Sequence, residues 1–235
     1  MRVSVIIPTH NEAQAIERVL ADLPRDLATE VIVVDSNSTD GTPDIAARMG
    51  AHVIQEPRRG YGCACLRGLA AANAPDVVVF LDGDYSDRPS ELPILLAPII
   101  DGQADITLGS RLQKQRAAGA LPGHQVFGNR LAAGMIRVLY GLQITDLGPF
   151  RAGRADVLRA LALEEPTYGW AVEMILKGTL AGYRVVEVPV SYYPRIGKSK
   201  ISGTLKGTVG AGWFILSLIV RYYFRNRKDA TQKTA

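Results

Sequence analysis

Apolar residues along this chain fall in short β-rich runs that alternate with helical patterns. Residues 31–34 are all Val and Ile, and 3–7 are so apart from Ser4, as strands covered on both faces require. Residues 51–55, 77–81 and 106–108 follow in the same style, and 185–188 reads as a late strand. Helical segments lie between them over 12–22, 43–49, 61–72, 91–100 and 126–140. Pro43 near the start of the second and Gly50 at its end follow the Pro-first, Gly-last asymmetry of helices. The alternation predicts an α/β fold with a mainly parallel sheet, and no internal repeat or linker divides it.

Two stretches break the pattern. Residues 113–125 are polar, hold Gly119, Pro122 and Gly123, and predict a loop over one edge of the sheet. Residues 194–203 are rich in Gly, Ser and Lys and precede a last helix over 205–224. The chain thus divides into a main α/β domain over 1–203, an amphipathic, interfacial helix over 204–228 and a disordered tail over 229–235. In that helix Trp213, Phe214, Ile215, Leu216 and Leu218 run into a cluster of Arg and Tyr. Amphipathic rings sit at headgroup level and cations meet anionic lipid, so peripheral contact with an anionic membrane is expected. The competing reading is a last helix packed on the core with basic residues beyond it. The longest apolar stretch, residues 209–220, spans 12 residues, whereas a helix that crosses a bilayer needs roughly 20. Residues 3–8 are too few for the apolar core of a secretory signal and read as a strand.

Composition narrows the class. Hydrophobic residues make up 47% and charged ones 21%, which argues for a globular chain and against disorder. Cys63 and Cys65 stand one residue apart with no third cysteine, so neither a disulfide nor a metal site is expected and a reducing compartment fits. The net charge of +4 is unevenly spread: residues 191–228 hold eight Lys or Arg and no Asp or Glu, which leaves −4 on the rest. Such asymmetry points to an anionic partner near the C-terminus: phosphate, nucleic acid or a membrane surface.

The strongest chemical signal is Asp82-Gly83-Asp84, directly after the apolar run 77–81. Ligand sites of open α/β sheets gather where parallel strands end. Two carboxylates separated by one small residue can share a hard divalent cation, Mg²⁺ or Mn²⁺, which takes oxygen ligands and bridges substrate phosphates. Its role is Lewis-acid stabilisation of a departing diphosphate. Similar chemistry ends the first two strands, in Pro8-Thr9-His10-Asn11-Glu12 and in Asp35-Ser36-Asn37-Ser38. Carboxylates there can hydrogen-bond a base and a ribose. Asp40 and Thr42, by contrast, read as a turn and helix cap.

These motifs resemble those of the family 2 glycosyltransferases, and within them the polyprenyl-phosphate branch, similar to dolichol-phosphate-mannose synthase. The residues that carry the resemblance are 5–12, 33–42 and 82–84, then Gly109-Ser110-Arg111, Asp146-Leu147-Gly148-Pro149-Phe150-Arg151, Val172-Glu173-Met174 and Arg195-Ile196-Gly197-Lys198-Ser199-Lys200. The resemblance implies a GT-A fold, a three-layer α/β/α sandwich around a mixed, mainly parallel sheet. It implies a nucleotide-diphospho-sugar donor held by Pro8, Thr9, Asn11, Glu12, Asp35, Ser36, Gly60, Asp82 and Gly83. Asp82 and Asp84 would hold the metal, with Ser86 the candidate third ligand, and Asp84, Arg111 and Glu173 are the catalytic candidates. Two departures stand out: Ser36 and Ser86 occupy positions where many relatives carry an acid and Gln, respectively.

The acceptor follows from what is missing. A hydroxyl acceptor needs a positioned base, and relatives that use one carry a Glu-Asp pair late in the chain; residues 167–174 hold Glu173 alone. A phosphate monoester, with a second pKa near ~6, is already anionic at neutral pH and needs cations instead. Arg111, Arg151, Arg195, Lys198 and Lys200, with Ser199, are the candidates for holding it. The expected function is inverting transfer of a hexose, from UDP-glucose or GDP-mannose, to a polyprenyl phosphate at the cytoplasmic membrane face. A membrane partner subunit or a homo-oligomer would suit such a chain. Transfer to a soluble or glycan hydroxyl is the alternative within enzymes. A non-catalytic module for anionic surfaces is the alternative outside them, although the ordered carboxylates would repel a nucleic-acid backbone. A dinucleotide oxidoreductase is a third alternative that fits poorly, because the Gly60 loop follows the third strand, not the first, and Cys65 stands where the last Gly of Gly-x-Gly-x-x-Gly belongs.

Overall fold

The computed structural model describes residues 1–114, 117, 119–197 and 205–233, with the side chains of the last stretch over 210–225. Seven strands form one sheet: β1 (Val3–Thr9), β2 (Glu30–Asp35), β3 (His52–Gln55), β4 (Val77–Phe80), β5 (Ile106–Ser110), β6 (Arg151–Arg154) and β7 (Val185–Pro189). Their order is β3-β2-β1-β4-β6-β5-β7. All neighbours pair in parallel except β6, which runs antiparallel to both β4 and β5. The eight helices described are α1 (Ile16–Ala21), α2 (Thr42–Arg48), α3 (Tyr61–Ala71), α4 (Leu92–Ile100), α5 (Gly123–Tyr140), α6 (Ala155–Ala160), α7 (Trp170–Leu180) and α8 (Leu205–Lys233).

Strand parity divides the core into two layers, as period-2 side chains must. Val3, Val5 and Ile7 join Val31 and Val33 beneath α1, α2 and α4. Ile6, Ile32, Val34, Val78 and Phe80 face the other way, toward α3 and α5 to α8. Each of these strand residues is at most 6% exposed, worth roughly 1.5–3 kcal/mol per side chain against an exposed one. The result is the expected three-layer sandwich. Its order reverses between β1 and β4, and the carboxyl ends of the strands flanking that switch point open a crevice where α/β ligands bind.

Several boundaries differ from the sequence reading. β6 and α6 were not expected, since Arg151-Ala152-Gly153-Arg154 has no β-branched residue; it is a strand because β4 and β5 flank it, and Gly153 leaves room for Leu158, whose Cγ and Cδ2 would lie 3.0 Å from an added Cβ. α1 begins at Ile16 rather than residue 12, because the preceding turn closes through Ala15 and Ile16 N–H to the Glu12 carbonyl. α5 starts at Gly123, inside the expected loop. α8 continues through the stretch 229–233 assigned to a tail; no Gly or Pro stands there to end it. Among the described residues no helix is long and apolar enough to cross a membrane.

Candidate active site

The crevice has a volume of about 850 Å³, large enough for a sugar nucleotide. Its walls are the loops after β1, β2 and β4, the start of α3, residues 167–168 and Arg195. The first two loops are laced together. Asn11 N–H donates to Ser38 Oγ at 2.8 Å, Asn11 Oδ1 accepts Thr39 N–H at 2.8 Å, and Glu12 N–H donates to Thr42 Oγ1 at 2.8 Å. Asp40 accepts from both sides, from Ala13 N–H at 3.0 Å and from Thr42 N–H at 3.1 Å. Gly83 lets the β4 loop join them, since a Cβ there would stand 2.9 Å from Thr9 Cγ2.

Pro8, Thr9, Glu12, Ser36, Gly60, Asp82, Gly83 and Asp84 all line the crevice, as expected of donor and metal candidates. Asn11 and Asp35 do not. Asp35 is buried, and its oxygens accept Ser38 N–H at 3.0 Å and Ser38 Oγ–H at 2.5 Å. Both residues shape the wall from within.

Asp82 and Asp84 have different surroundings. Burial, and after it the charge of Asp84, pushes the Asp82 carboxyl up to about 7 against the pull of Arg195 and Arg111. Among the described residues no cation forms an ion pair with it. Asp84 accepts Ser86 N–H at 2.9 Å and Ser86 Oγ–H at 2.6 Å on Oδ1, and pairs through Oδ2 with Arg195 at 2.9 Å. Ser86 is buried and turned onto Asp84, so it orients the carboxylate instead of facing the crevice as a third ligand. A divalent cation fits this donor set: one carboxylate is uncompensated, and the other already carries a cationic group. Among the described residues no three His, Cys, Asp or Glu cluster as a closed cage.

The remaining candidates scatter. Arg111 grips Asp146 with both Nε and Nη2, at 2.7 and 2.8 Å. Although burial opposes its charge, Asp146 keeps it protonated, with its pKa raised. Arg151 is wholly buried and donates to the carbonyls of Ala171, at 2.6 Å, and Gly148, while its Nε has no partner. It does not open onto the crevice, so the expected acceptor contact is not made. Glu173 is equally buried and accepts Glu165 N–H at 2.8 Å, the Tyr222 hydroxyl at 2.9 Å and Lys177 at 2.8 Å. It is not placed to act as a base at the crevice. Lys198, Ser199 and Lys200 lie outside the described residues. Cys63 and Cys65 are free and buried.

Sequence reasoning placed Tyr168 on a pocket wall, where it lies, but missed His10, Asn37, Tyr61 and Thr167, and it left the 58–62 loop unplaced. Arg58 is occupied by Glu56, with Nη2 and Oε2 2.7 Å apart, whereas exposed Arg59 has no ion pair among the described residues. Two adjacent arginines before Gly60 are the signal that could have marked a phosphate-facing loop.

Comparison with known proteins agrees with this geometry. The model of the family described as Glycosyl transferase family 2 matches residues 4–162. An uncharacterized glycosyltransferase of Mycobacterium tuberculosis is 38% identical over 88% of this chain and 93% of its own length. An undecaprenyl-phosphate mannosyltransferase of Micrococcus luteus is 36% identical over 88% and 90%, and a dolichyl-phosphate hexose transferase of Haloferax volcanii is 37% identical over 84% and 86%. Among solved structures, glucosyl-3-phosphoglycerate synthase of Mycobacterium tuberculosis, in complex with Mn²⁺, UDP-glucose and phosphoglyceric acid, matches 94% of this chain and 79% of its own with a TM-score of 0.75 at 23% identity. That likeness shows the GT-A fold. The chain belongs to glycosyl transferase family 2, in the branch whose members include polyprenyl-phosphate hexosyltransferases.

Proposed function

We propose that the chain is an inverting, metal-dependent hexosyltransferase that moves a hexose from UDP-glucose or GDP-mannose to a polyprenyl phosphate at the cytoplasmic membrane face. The observation that carries this reading is the meeting of Asp82, Asp84 and Arg195 in one crevice at the strand switch point. A Mg²⁺ or Mn²⁺ ion held by Asp82 and Asp84 would stabilise the charge of the departing diphosphate. Pro8, Thr9, Glu12, Ser36 and Gly60 enclose the nucleotide, and Arg59, without an ion pair among the described residues, adds a cation beside it. Arg195, with Lys198, Ser199 and Lys200 next to it in sequence, grips the acceptor phosphate. Buried Glu173 fits an acceptor that needs no base, since a phosphate monoester is already ionised near neutral pH. The names of the Micrococcus and Haloferax relatives support a lipid phosphate.

The test is a phase partition. Purified chain, Mn²⁺ and undecaprenyl phosphate in detergent are mixed in turn with labelled UDP-glucose and GDP-mannose. Label is expected in the organic phase, and a chelator stops its transfer. Label that stays in water, as free hexose or on an added soluble phosphate acceptor such as phosphoglyceric acid, would overturn the lipid acceptor and keep the transferase.

A further inference from the structure

The inner stripe of α8 meets the wall of the crevice. Phe214, Leu218 and Tyr222 recur at four-residue spacing, which places them on one face of the helix. The Phe214 ring stands edge-on to Tyr168, with centroids 5.2 Å apart. A Cβ on Gly169 would come within 2.7 Å of that ring and 3.0 Å of Leu218 Cδ2, so the absent side chain is what lets α8 approach. Tyr222 donates its hydroxyl to Glu173 Oε1 at 2.9 Å. Glu173 Oε2 accepts Glu164 and Glu165 N–H at 3.0 and 2.8 Å. The segment fixed in this way carries Pro166 and Thr167, whose carbonyls accept Cys63 and Gly62 N–H at 2.9 and 3.1 Å. Tyr61, Thr167 and Tyr168 then form crevice wall.

The outer stripe of the same helix is open. Trp213 is 75% and Phe224 58% exposed, with Val220, Arg221 and Arg225 on the surface between and beside them. No acid stands anywhere in residues 191–228. Exposed aromatic rings among cations, without a compensating carboxylate, complement the headgroups of an anionic lipid surface.

We propose that α8 couples these two stripes: an anionic lipid surface on Trp213, Arg221, Phe224 and Arg225 raises nucleotide affinity in the crevice through Phe214–Tyr168 and Tyr222–Glu173. The inference rests on the proposed peripheral location, which by itself requires no such coupling. Phe214, Tyr222 and Glu173 are positioning residues, since none of them reaches the crevice. Coupling of this kind is reciprocal, so bound nucleotide tightens attachment to the surface by the same factor.

The full chain with Mn²⁺ is titrated calorimetrically with UDP and with GDP, alone and on vesicles of phosphatidylcholine with or without phosphatidylglycerol. Nucleotide affinity is expected to rise at least about fivefold on the anionic vesicles, and vesicle affinity by the same factor when nucleotide saturates. In Y222F and F214L both gains vanish, while vesicle cosedimentation without nucleotide and the unfolding temperature stay near wild type. Vesicle binding that leaves nucleotide affinity unchanged would overturn the coupling and keep the peripheral location. Failure to bind vesicles would overturn both. Loss of nucleotide affinity in Y222F by an equal factor with and without vesicles would reduce Glu173 to a packing role and also overturn the proposal.

Discussion

Arg195 and Asp84 face each other across the crevice, Nη2 2.9 Å from Oδ2, and the backbone holds them there. Ile196 N–H donates to the Asp84 carbonyl and Tyr193 N–H to that of Ser86, each at 2.9 Å. The loop that carries Arg195 is therefore tied to the loop that carries Asp82 and Asp84. A cation arriving at Asp84 competes with one already present.

That competition gives Arg195 two effects of opposite sign. Arg195→Met is expected to tighten Mn²⁺ binding by the free protein about fivefold, the size of an ion pair worth about 1 kcal/mol; the Arg195 side chain is 32% exposed, which holds the figure to that range. Turnover should fall at least about tenfold, because a cation for phosphate is lost. A Mn²⁺ titration beside a turnover assay reads both. Weaker Mn²⁺ binding in the variant would show that Arg195 supports the metal site instead of competing for it.

Asp82 ties the same site to pH. Its carboxyl stands at about 7 in the fold, pushed there first by burial and then by Asp84, against an ordinary value of 3.8. A group raised in this way stabilises the fold fully below its unfolded value, and that contribution is lost as pH climbs through the folded one. The metal-free chain is thus expected to lose thermal stability between about pH 4 and 7, the span from the unfolded value to the folded one. Mn²⁺ competes with the same proton, so its stabilising shift should grow over that interval. Melting curves with Mn²⁺ and with chelator at pH 6 and 8 decide it, and a larger Mn²⁺ shift at pH 6 counts against Asp82 as a ligand.

Arg111 and Asp146 form a buried pair remote from solvent. Burial would raise the Asp146 carboxyl, but Arg111 and two backbone N–H groups hold it below its usual range. Removing one partner strands the other, at about 3–5 kcal/mol. Asp146→Asn should therefore destabilise strongly, and adding Arg111→Met should recover much of the loss. Urea unfolding of the two singles and the double measures this. A double variant no better than D146N would place the cost elsewhere, in the N–H bonds that Asp146 accepts from Arg111 and Leu147.

How legible the sequence is depends on whether a feature is set locally. Runs such as Val31 to Val34 announce strands because burial on both faces demands them, and Asp82-Gly83-Asp84 is legible because it follows such a run. β6 is not, since Arg151 to Arg154 take strand geometry only from β4 and β5. The same distinction holds in the site. Whether Arg111 or Arg151 pairs with Asp146 depends on how residues 146–151 cross the sheet, and it falls to Arg111. Glu173 reads as a lone acid near a pocket, yet its partners come from residues 164–165 and from Tyr222, 49 positions along the chain. No local pattern carries that information.

Gly62 tests the wall itself. A Cβ on it would lie 2.0 Å from the Glu165 carbonyl oxygen and 2.8 Å from the Pro166 carbonyl carbon, both backbone atoms with little freedom to yield. The requirement is for space alone. Gly62→Ala should push residues 165–168 outward and cost about 1–3 kcal/mol, as overpacking does. Nucleotide affinity should fall with it, because Thr167 and Tyr168 move with that segment. Gly128, on the exposed side of α5, is the control: an added Cβ meets nothing within 4 Å, so Gly128→Ala should gain about 0.5–1 kcal/mol from helix propensity and leave nucleotide binding unchanged. Chemical unfolding and nucleotide titration of both variants separate the cases, and a G62A protein with wild-type affinity would mean that the 165–168 wall does not touch the nucleotide.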